Sequence, residues 1–217
     1  MKKDLTEIII VLDESGSMAS CKSTTISGYN EFISTQKKLK GDVKFTLVKF
    51  SDYYNVINDG VGANEVTMLD NGNYIPDGMT ALLDAVGSTI NMVGKRLSST
   101  PEDERPEKVI MAVITDGEEN RSHEFDQNTI ANMVSHQKTM YSWEFIFIGA
   151  DIDAWGNRIG IMNNANVSKD NMQLSFKGLS HFTASYRSNA SYSANTSFNL
   201  SDQQLDADID NLIDNSK

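Results

Sequence analysis

The sequence predicts an α/β fold of the Rossmann-like, doubly wound type: a mostly parallel sheet with helices on both faces and one antiparallel edge strand. Short apolar runs alternate along the chain with segments whose apolar residues recur at helical spacing. This alternation is typical of a parallel sheet covered by helices. The chain has 217 residues, of which 39% are hydrophobic and 23% are charged, as in an ordinary globular protein.

The strands are predicted where the sequence is short, apolar and rich in β-branched or aromatic residues, which is typical of strands buried on both faces. Four segments meet this description: Glu7–Leu12, Val43–Phe50, Lys108–Ile114 and Trp143–Ile148. A weaker fifth strand is predicted over Ala165–Val167. The segment Tyr53–Leu69 interrupts the alternation and is compatible with an edge hairpin, because antiparallel edge strands are common on parallel sheets.

Helices are predicted where apolar residues recur every three or four positions. The first pattern contains Ile26, Tyr29, Ile33 and Leu39, and the strongest contains Leu82, Val86, Ile90, Val93 and Leu97. Weaker patterns contain Ile130, Met133 and Val134, then residues 154–159, then Leu179, Phe182 and Tyr186.

The C-terminal part of the chain differs in character from the rest. We therefore divide the chain into a domain over residues 1–187 and a Ser/Asn-rich linker with an acidic tail over residues 188–217. Leu205, Ile209 and Leu212 lie at helical spacing within the acidic tail, which favours a short helix that docks on its own domain or on a partner.

The charge and cysteine content exclude several classes of partner and site. The 30 acidic and 19 basic residues give a net charge of −11, which repels nucleic acid and anionic membranes, so neither is expected as a partner. No stretch approaches the roughly 18 apolar residues that a membrane span requires. A single cysteine, Cys21, excludes a disulfide within the chain and favours a cytoplasmic protein.

Polar loops with oxygen-bearing side chains occur at three points of this predicted fold. The first strand ends in Asp13-Glu14-Ser15-Gly16-Ser17, the third ends in Thr115-Asp116-Gly117, and Asp77-Gly78-Met79-Thr80 leads into a helix. Ligands of open α/β sheets bind outside the carboxyl ends of the strands, so we expect these loops to converge. Thr80 taken alone is more simply interpreted as the N-cap of its helix.

The side chains in these loops favour a hard metal ion. Two carboxylates and three hydroxyls, without histidine or cysteine, are the oxygen ligands that suit Mg²⁺. Each fragment taken singly is a short pattern of common residues, but the combination at the ends of predicted strands is specific. The sequence therefore predicts a metal site formed by Asp13, Ser15, Ser17, Thr80 and Asp116.

The run from Ile8 to Ser17 resembles the opening of a von Willebrand factor A (VWA) domain. In this family the metal-ion-dependent adhesion site (MIDAS) is Asp-x-Ser-x-Ser, then a distant Thr and a distant Asp, and the five predicted site residues match it in order. The resemblance covers about residues 5–168 and implies the VWA fold. It also implies that Mg²⁺ or Mn²⁺ is bound by Ser15, Ser17 and Thr80, with Asp13 and Asp116 often acting through water.

The resemblance implies a metal-dependent protein-binding module and not an enzyme. A metal held largely by neutral hydroxyls keeps a coordination position that an Asp or Glu side chain of a protein partner can occupy. Ile148–Asp153 resembles the short, single-domain VWA proteins of bacteria and phages. We also expect Glu14, Glu118 and Glu119 near the rim of the site, where they would disfavour badly placed acids.

Two alternative functions fit parts of the same pattern. A Mg²⁺-dependent phosphohydrolase would use Asp13 as its nucleophile, but Ser15 stands where such an enzyme needs a second acid, and serine cannot transfer that proton near neutral pH. A structural component of a larger bacterial or phage assembly is compatible with the same metal site.

Overall fold

The computed structural model describes residues 1–149, 156–161, 163–166, 171–188, 199 and 201–214. Its six-stranded sheet has the order β3-β2-β1-β4-β5-β6. The strands are β1 (Lys2–Asp13), β2 (Asp42–Phe50), β3 (Tyr54–Gly62), β4 (Pro106–Ile114), β5 (Glu144–Gly149) and β6 (Asn163–Asn166). Strand β3 is antiparallel to β2, and all other pairs are parallel, which confirms the predicted fold class.

Helices cover both faces of the sheet. They are α1 (Lys22–Lys38), α2 (Leu82–Ser99), α3 (Gln127–Tyr141), α4 (Met172–Arg187) and α5 (Asp202–Asp214), with short 3₁₀ helices at Gly16–Cys21 and Glu102–Glu104. In β1, Ile8 and Ile10 pack in the core beneath α1 and α4, whereas Ile9 and Val11 pack beneath α2 and α3. The central strand is therefore buried on both faces, which explains its uninterrupted apolar sequence.

Strand β1 begins earlier than its apolar run. Lys2 pairs with Pro106 of β4, and its ammonium group lies 2.7 Å from the Asp42 carboxylate. The register then shifts before Thr6, and Asp4 within this irregularity has a φ of 59°. These first residues are exposed and polar, so the apolar pattern that predicts the rest of the strand does not extend to them.

The segment after β2 contributes one strand to the edge of the sheet. The edge hairpin consists of β2 and β3, and residues 63–81 then return to α2 without forming a strand. Asn30 of α1 holds this return segment, because its side-chain amide donates to the carbonyl of Leu69 at 2.8 Å and accepts from the Leu69 N–H at 2.9 Å. Side-chain hydrogen bonds replace a strand ladder here, while Val66 and Leu69 still enter the core.

The described part of the C-terminal region ends in helix α5, which packs against α4. Leu205 and Ile209 of α5 are buried, and Lys177 of α4 lies 2.7 Å from Asp202 and 2.8 Å from Asp206. Most of the predicted linker lies outside the described residues. Residues 150–155, which include part of the Ile148–Asp153 motif and the start of the helix predicted over residues 154–159, also lie outside them. Within the described ranges, no helix is both long and apolar enough to cross a membrane.

Candidate metal site

The predicted site lies where the strand order of the sheet reverses. Strand β1 is flanked by β2 on one side and β4 on the other, because the chain builds β2 and β3 on one side of β1 and then crosses over to build β4, β5 and β6 on the other. Asp13 is the last residue of β1, and the pairing of Leu12 with Ile114 brings Asp13 level with Thr115, which directly follows β4. This is the position at which open α/β sheets bind their ligands.

The loop after β1 directs both serine hydroxyls toward the end of β4. The Ser15 N–H donates to Oδ1 of Asp13 at 2.7 Å, which closes a tight turn directly after the strand. The Oγ atoms of Ser15 and Ser17 lie 3.0 Å apart, and the Ser17 hydroxyl donates to Oδ1 of Asp116 at 2.5 Å. Four of the five predicted residues are therefore linked by hydrogen bonds.

Gly117 shows that Thr80 belongs to the same cluster. A β-carbon added to Gly117 would lie 3.0 Å from Oγ1 of Thr80, 3.2 Å from Oγ of Ser17 and 3.5 Å from Oδ2 of Asp13. Oxygen atoms from the end of β1, from the loop after it and from Thr80 therefore surround one point beside the loop after β4, and the absence of a side chain at Gly117 keeps the space between them open.

This arrangement fits a small hard cation. Octahedral Mg²⁺ with ligand bonds of 2.0–2.1 Å places neighbouring ligand oxygens about 2.9 Å apart, close to the 3.0 Å between Ser15 Oγ and Ser17 Oγ. No group of three or more His, Cys, Asp or Glu side chains in the described ranges could hold a metal. A metal site in this part of the chain therefore needs hydroxyl ligands in addition to carboxylates.

Burial of the cluster changes the acid–base behaviour of Asp13. Asp13 has 0% of its surface exposed, whereas Ser17 is exposed and opens the cluster to solvent. The pKa of Asp13 is raised to about 6, mainly by burial and to a smaller extent by the neighbouring Asp116 carboxylate, although hydrogen bonds from Thr115 and Ser15 act to lower it. The charged form of Asp13 is thus costly without a nearby cation.

Two residues that hold Asp13 are missing from the predicted set. The Thr115 hydroxyl donates to Oδ2 of Asp13, and the Tyr74 hydroxyl donates to the Asp13 carbonyl at 2.6 Å. Thr115 could have been found from the strand register, because it follows β4 at the level of Asp13. Tyr74 comes from the return segment, and no local sequence pattern links it to the site.

The N-cap of helix α2 differs from the prediction. Its N-cap residue is Ala81, which makes no side-chain cap, so the N-cap interpretation of Thr80 is wrong. The loop after β4 binds the start of α2 instead: Oδ1 of Asn120 accepts from the Thr80 N–H at 3.0 Å, and Oε2 of Glu119 accepts from the Leu83 N–H at 2.9 Å. These bonds fix Thr80 relative to Asp116.

The three glutamates expected at the rim have different surroundings. Glu14 accepts from Lys49 at 2.7 Å and from the Ile75 N–H at 2.6 Å, so its carboxylate holds the return segment. Glu119 supports the start of α2, as described above. Glu118 is exposed.

The fold is similar to those of solved von Willebrand factor A structures. A von Willebrand factor type A protein from Catenulispora acidiphila matches with a TM-score of 0.52 and 12% identity over 81% of this chain and 41% of that chain. The vWF domain of the type V pili tip protein Mfa5 from Porphyromonas gingivalis matches with a TM-score of 0.55 and 10% identity over 81% of this chain and 93% of that chain.

A third similar structure is proximal thread matrix protein 1 from the mussel byssus, solved with a zinc-occupied MIDAS motif. It matches with a TM-score of 0.51 and 15% identity over 81% of this chain and 44% of that chain. The chain thus spans less than half the length of the Catenulispora and mussel chains. No protein-family model and no curated protein matches the sequence. The structural matches show that this chain has the von Willebrand factor A fold.

Proposed function

We propose that the chain is a metal-dependent protein-binding module, in which Asp13, Ser15, Ser17, Thr80 and Asp116 hold Mg²⁺ or Mn²⁺. The bound metal would recruit an Asp or Glu side chain of a protein partner. The observation that carries this proposal is the convergence of Thr80, Ser17 and Asp13 oxygens within 3.5 Å of one point beside Gly117. The zinc-occupied MIDAS motif of the mussel protein supports a divalent metal on this fold.

The exposure of the cluster supports recruitment of a ligand from outside. Ser17 is exposed while Asp13 and Ser15 are buried, so a metal held between them would face solvent on one side only. When bound, the metal supplies a positive charge to which an anionic side chain can bind more strongly than a neutral one. A carboxylate of a partner is the natural ligand for that position.

The surroundings of Asp13 argue against the phosphohydrolase alternative. A nucleophile must approach its substrate, but Asp13 is 0% exposed and both of its carboxylate oxygens accept hydrogen bonds, from the Ser15 N–H and the Thr115 hydroxyl. Turnover of a generic phosphate ester that is abolished by Asp13→Asn would contradict this argument.

Metal binding is tested by thermal melting in Mg²⁺, Mn²⁺ or EDTA. A ligand specific to the folded state adds about 2.7 kcal/mol at 100 times its Kd. For a domain of this size we expect a rise in Tm of about 5–10 °C. Ser15→Ala and Ser17→Ala should remove this rise. Ser34→Ala changes an exposed serine of α1 outside the cluster and is the matched control, which should keep the rise.

Partner recruitment is tested by affinity capture in Mg²⁺ and in chelator. We expect a protein that is retained by the wild type in Mg²⁺, released by EDTA and not retained by Ser17→Ala. A stable complex that survives chelator would favour the alternative of a structural component in a larger assembly. Capture that is equal in all conditions would contradict recruitment by the metal.

We also propose the organisation and location inferred from the sequence: a VWA domain over residues 1–187, a linker and tail over residues 188–217, and a cytoplasmic protein. Helix α5 within the tail buries Leu205 and Ile209 against the rest of the chain, which supports a tail that docks on its own domain. Cys21 is the single cysteine of the sequence and is buried, in keeping with a reducing compartment.

A further inference from the structure

Exposed large apolar side chains are concentrated in one stretch of the chain. Of the eight exposed large hydrophobic residues in the described ranges, five come from the stretch between Tyr53 and Met79. Tyr53 is 82% exposed, Ile75 is 59% exposed and Met79 is 51% exposed. Exposed apolar side chains that are grouped in this way mark interaction sites more often than isolated ones do.

Hydrogen bonds from backbone N–H groups connect this stretch to the candidate metal site. The Met79 N–H donates to the carboxylate of Asp52, the residue before Tyr53, at 3.3 Å. The Gly16 N–H donates to the carbonyl of Gly78 at 3.1 Å, which joins this segment to the serine loop of the site. Met79 itself directly precedes Thr80.

Ile75 belongs to the same side of the site. Its N–H donates to the carboxylate of Glu14, which directly follows Asp13. Tyr53, Ile75 and Met79, which we call the apolar rim, therefore border the site on the β2 side. The β4 side is polar, because Glu118, Asn120 and Arg121 are exposed there.

We propose that the apolar rim is the second half of the protein-binding surface, and that the partner presents one carboxylate flanked by apolar side chains. This inference rests on the proposed function, because the carboxylate binds the metal while the flanking side chains bury the apolar rim. Burial of apolar side chains beside a charged contact is typical of the residues that dominate binding energy in protein interfaces.

The charge of the chain argues for a single acid in the partner segment. The net charge is −11, and Glu118 and Asp77 are exposed near the metal loops. The exposed Arg121 beside the site lies 3.4 Å from the Asp52 carboxylate, so an additional acid in the partner would meet a largely negative surface, which disfavours acidic runs. An apolar residue next to the acid in the partner segment would meet no such repulsion on the β2 side of the site.

The test uses three synthetic peptides. The second differs from the first only in the residues that flank the acid, and the third differs from the first only in the acid itself. The first carries Asp between Leu and Phe, the second carries Asp between Gly and Ser, and the third carries Asn between Leu and Phe. Binding to the immobilised full chain is measured in Mg²⁺ and in EDTA. We expect the first peptide to bind about tenfold more tightly than the second in Mg²⁺, in line with the loss of a central interface side chain.

Matched variants test whether the apolar rim strengthens peptide binding, or whether any exposed apolar side chain does. Met79→Ser, Ile75→Ser and Tyr53→Ser should each weaken the first peptide by about tenfold and leave the second peptide unchanged. Met140→Ser and Tyr141→Ser are the controls, since these residues of α3 are 65% and 60% exposed and lie outside the apolar rim. The controls should leave both peptides unchanged.

The outcomes distinguish failure of the apolar rim from failure of metal-dependent recruitment. Equal binding of both Asp peptides in Mg²⁺ would overturn the apolar rim while leaving metal-dependent recruitment intact. Binding of the Asn peptide, or binding that persists in EDTA, would overturn the coupling to the metal. If no peptide binds although Mg²⁺ raises the Tm, recruitment and the apolar rim both fail. A dimer in sedimentation that Met79→Ser dissociates would assign the surface to a second copy of the chain instead.

Discussion

Thr115 donates its hydroxyl hydrogen to Oδ2 of Asp13, so the residue after β4 holds the side chain at the end of β1. The Gly117 N–H donates in turn to Oγ1 of Thr115 at 3.1 Å, which orients that hydroxyl. The loop after β4 therefore sets the direction of a carboxylate on the neighbouring strand as well as that of its own Asp116.

Thr115→Val should weaken both the fold and the metal site. Valine keeps the shape of threonine but cannot donate to the buried Asp13 carboxylate, and a hydrogen bond to a charged group contributes about 1.5–3 kcal/mol. We expect a loss of this size in the free energy of unfolding, measured by urea denaturation in Mg²⁺, with a smaller rise of the Tm on adding Mg²⁺. Thr115→Ser should restore most of both quantities, and a valine variant with wild-type behaviour would show that the bond has no effect.

The raised pKa of Asp13 predicts that metal binding depends on pH. The folded-state pKa of about 6 lies above the ordinary value of 3.8, so in EDTA the stability contributed by Asp13 is full below about pH 4 and is lost as the pH rises through 6. Mg²⁺ needs the ionised carboxylate. The rise in Tm caused by Mg²⁺ should therefore be small at pH 5 and grow towards pH 7, which melting across this range measures.

The control for this prediction is Asp13→Asn, which cannot ionise. Its stability in EDTA should lack the loss between pH 4 and pH 6, and Mg²⁺ should produce little rise of the Tm at any pH. A rise that is the same at pH 5 and pH 7 in the wild type would contradict proton competition at Asp13.

Substitution of two adjacent glutamates in the loop after β4 should have different effects on stability, because only one of them binds the start of α2. Glu119 accepts from the Leu83 N–H and from the Ser122 hydroxyl, whereas Glu118 is exposed. Glu119→Ala should lower the free energy of unfolding by about 1–2 kcal/mol, as the loss of a helix cap does, and should weaken Mg²⁺ binding by displacing Thr80. Glu118→Ala should change neither by more than about 0.5 kcal/mol, and equal effects of both variants in urea denaturation would contradict this.

A buried ion pair in the middle of β1 predicts a large loss of stability when it is broken. Glu7 is 0% exposed and accepts from two nitrogens of Arg96, and from Thr46 at 2.9 Å. Arg96→Met should cost about 3–5 kcal/mol in the free energy of unfolding, because it leaves Glu7 charged and buried. The double variant Glu7→Leu with Arg96→Met should cost much less, and a double variant as unstable as the single one would argue against this cause.

The sequence predicted the central strands well because these are buried on both faces. Val43–Phe50 and Lys108–Ile114 match β2 and β4 closely, because short runs rich in β-branched and other apolar residues favour a strand over a helix at this length. The edge strand β6, Asn163–Asn166, has a largely polar sequence and was predicted only approximately.

The residues of the proposed site were predicted because they lie in short loops that follow a strand or precede a helix. The contacts that orient them could not be found in the same way. Tyr74 reaches Asp13 from a segment without regular structure, and Asn120 binds Thr80 across two loops. Such contacts depend on the path of the chain in space, which local periodicity does not encode.

The distance along the chain between Asp13 and Asp116 has a consequence for synthesis. A nascent polypeptide cannot assemble the metal cluster until β4 has left the ribosome and paired with β1, because the last oxygen donor follows that strand. The proposed metal site can therefore form only after the segment from Asp13 to Asp116 has been translated and has folded.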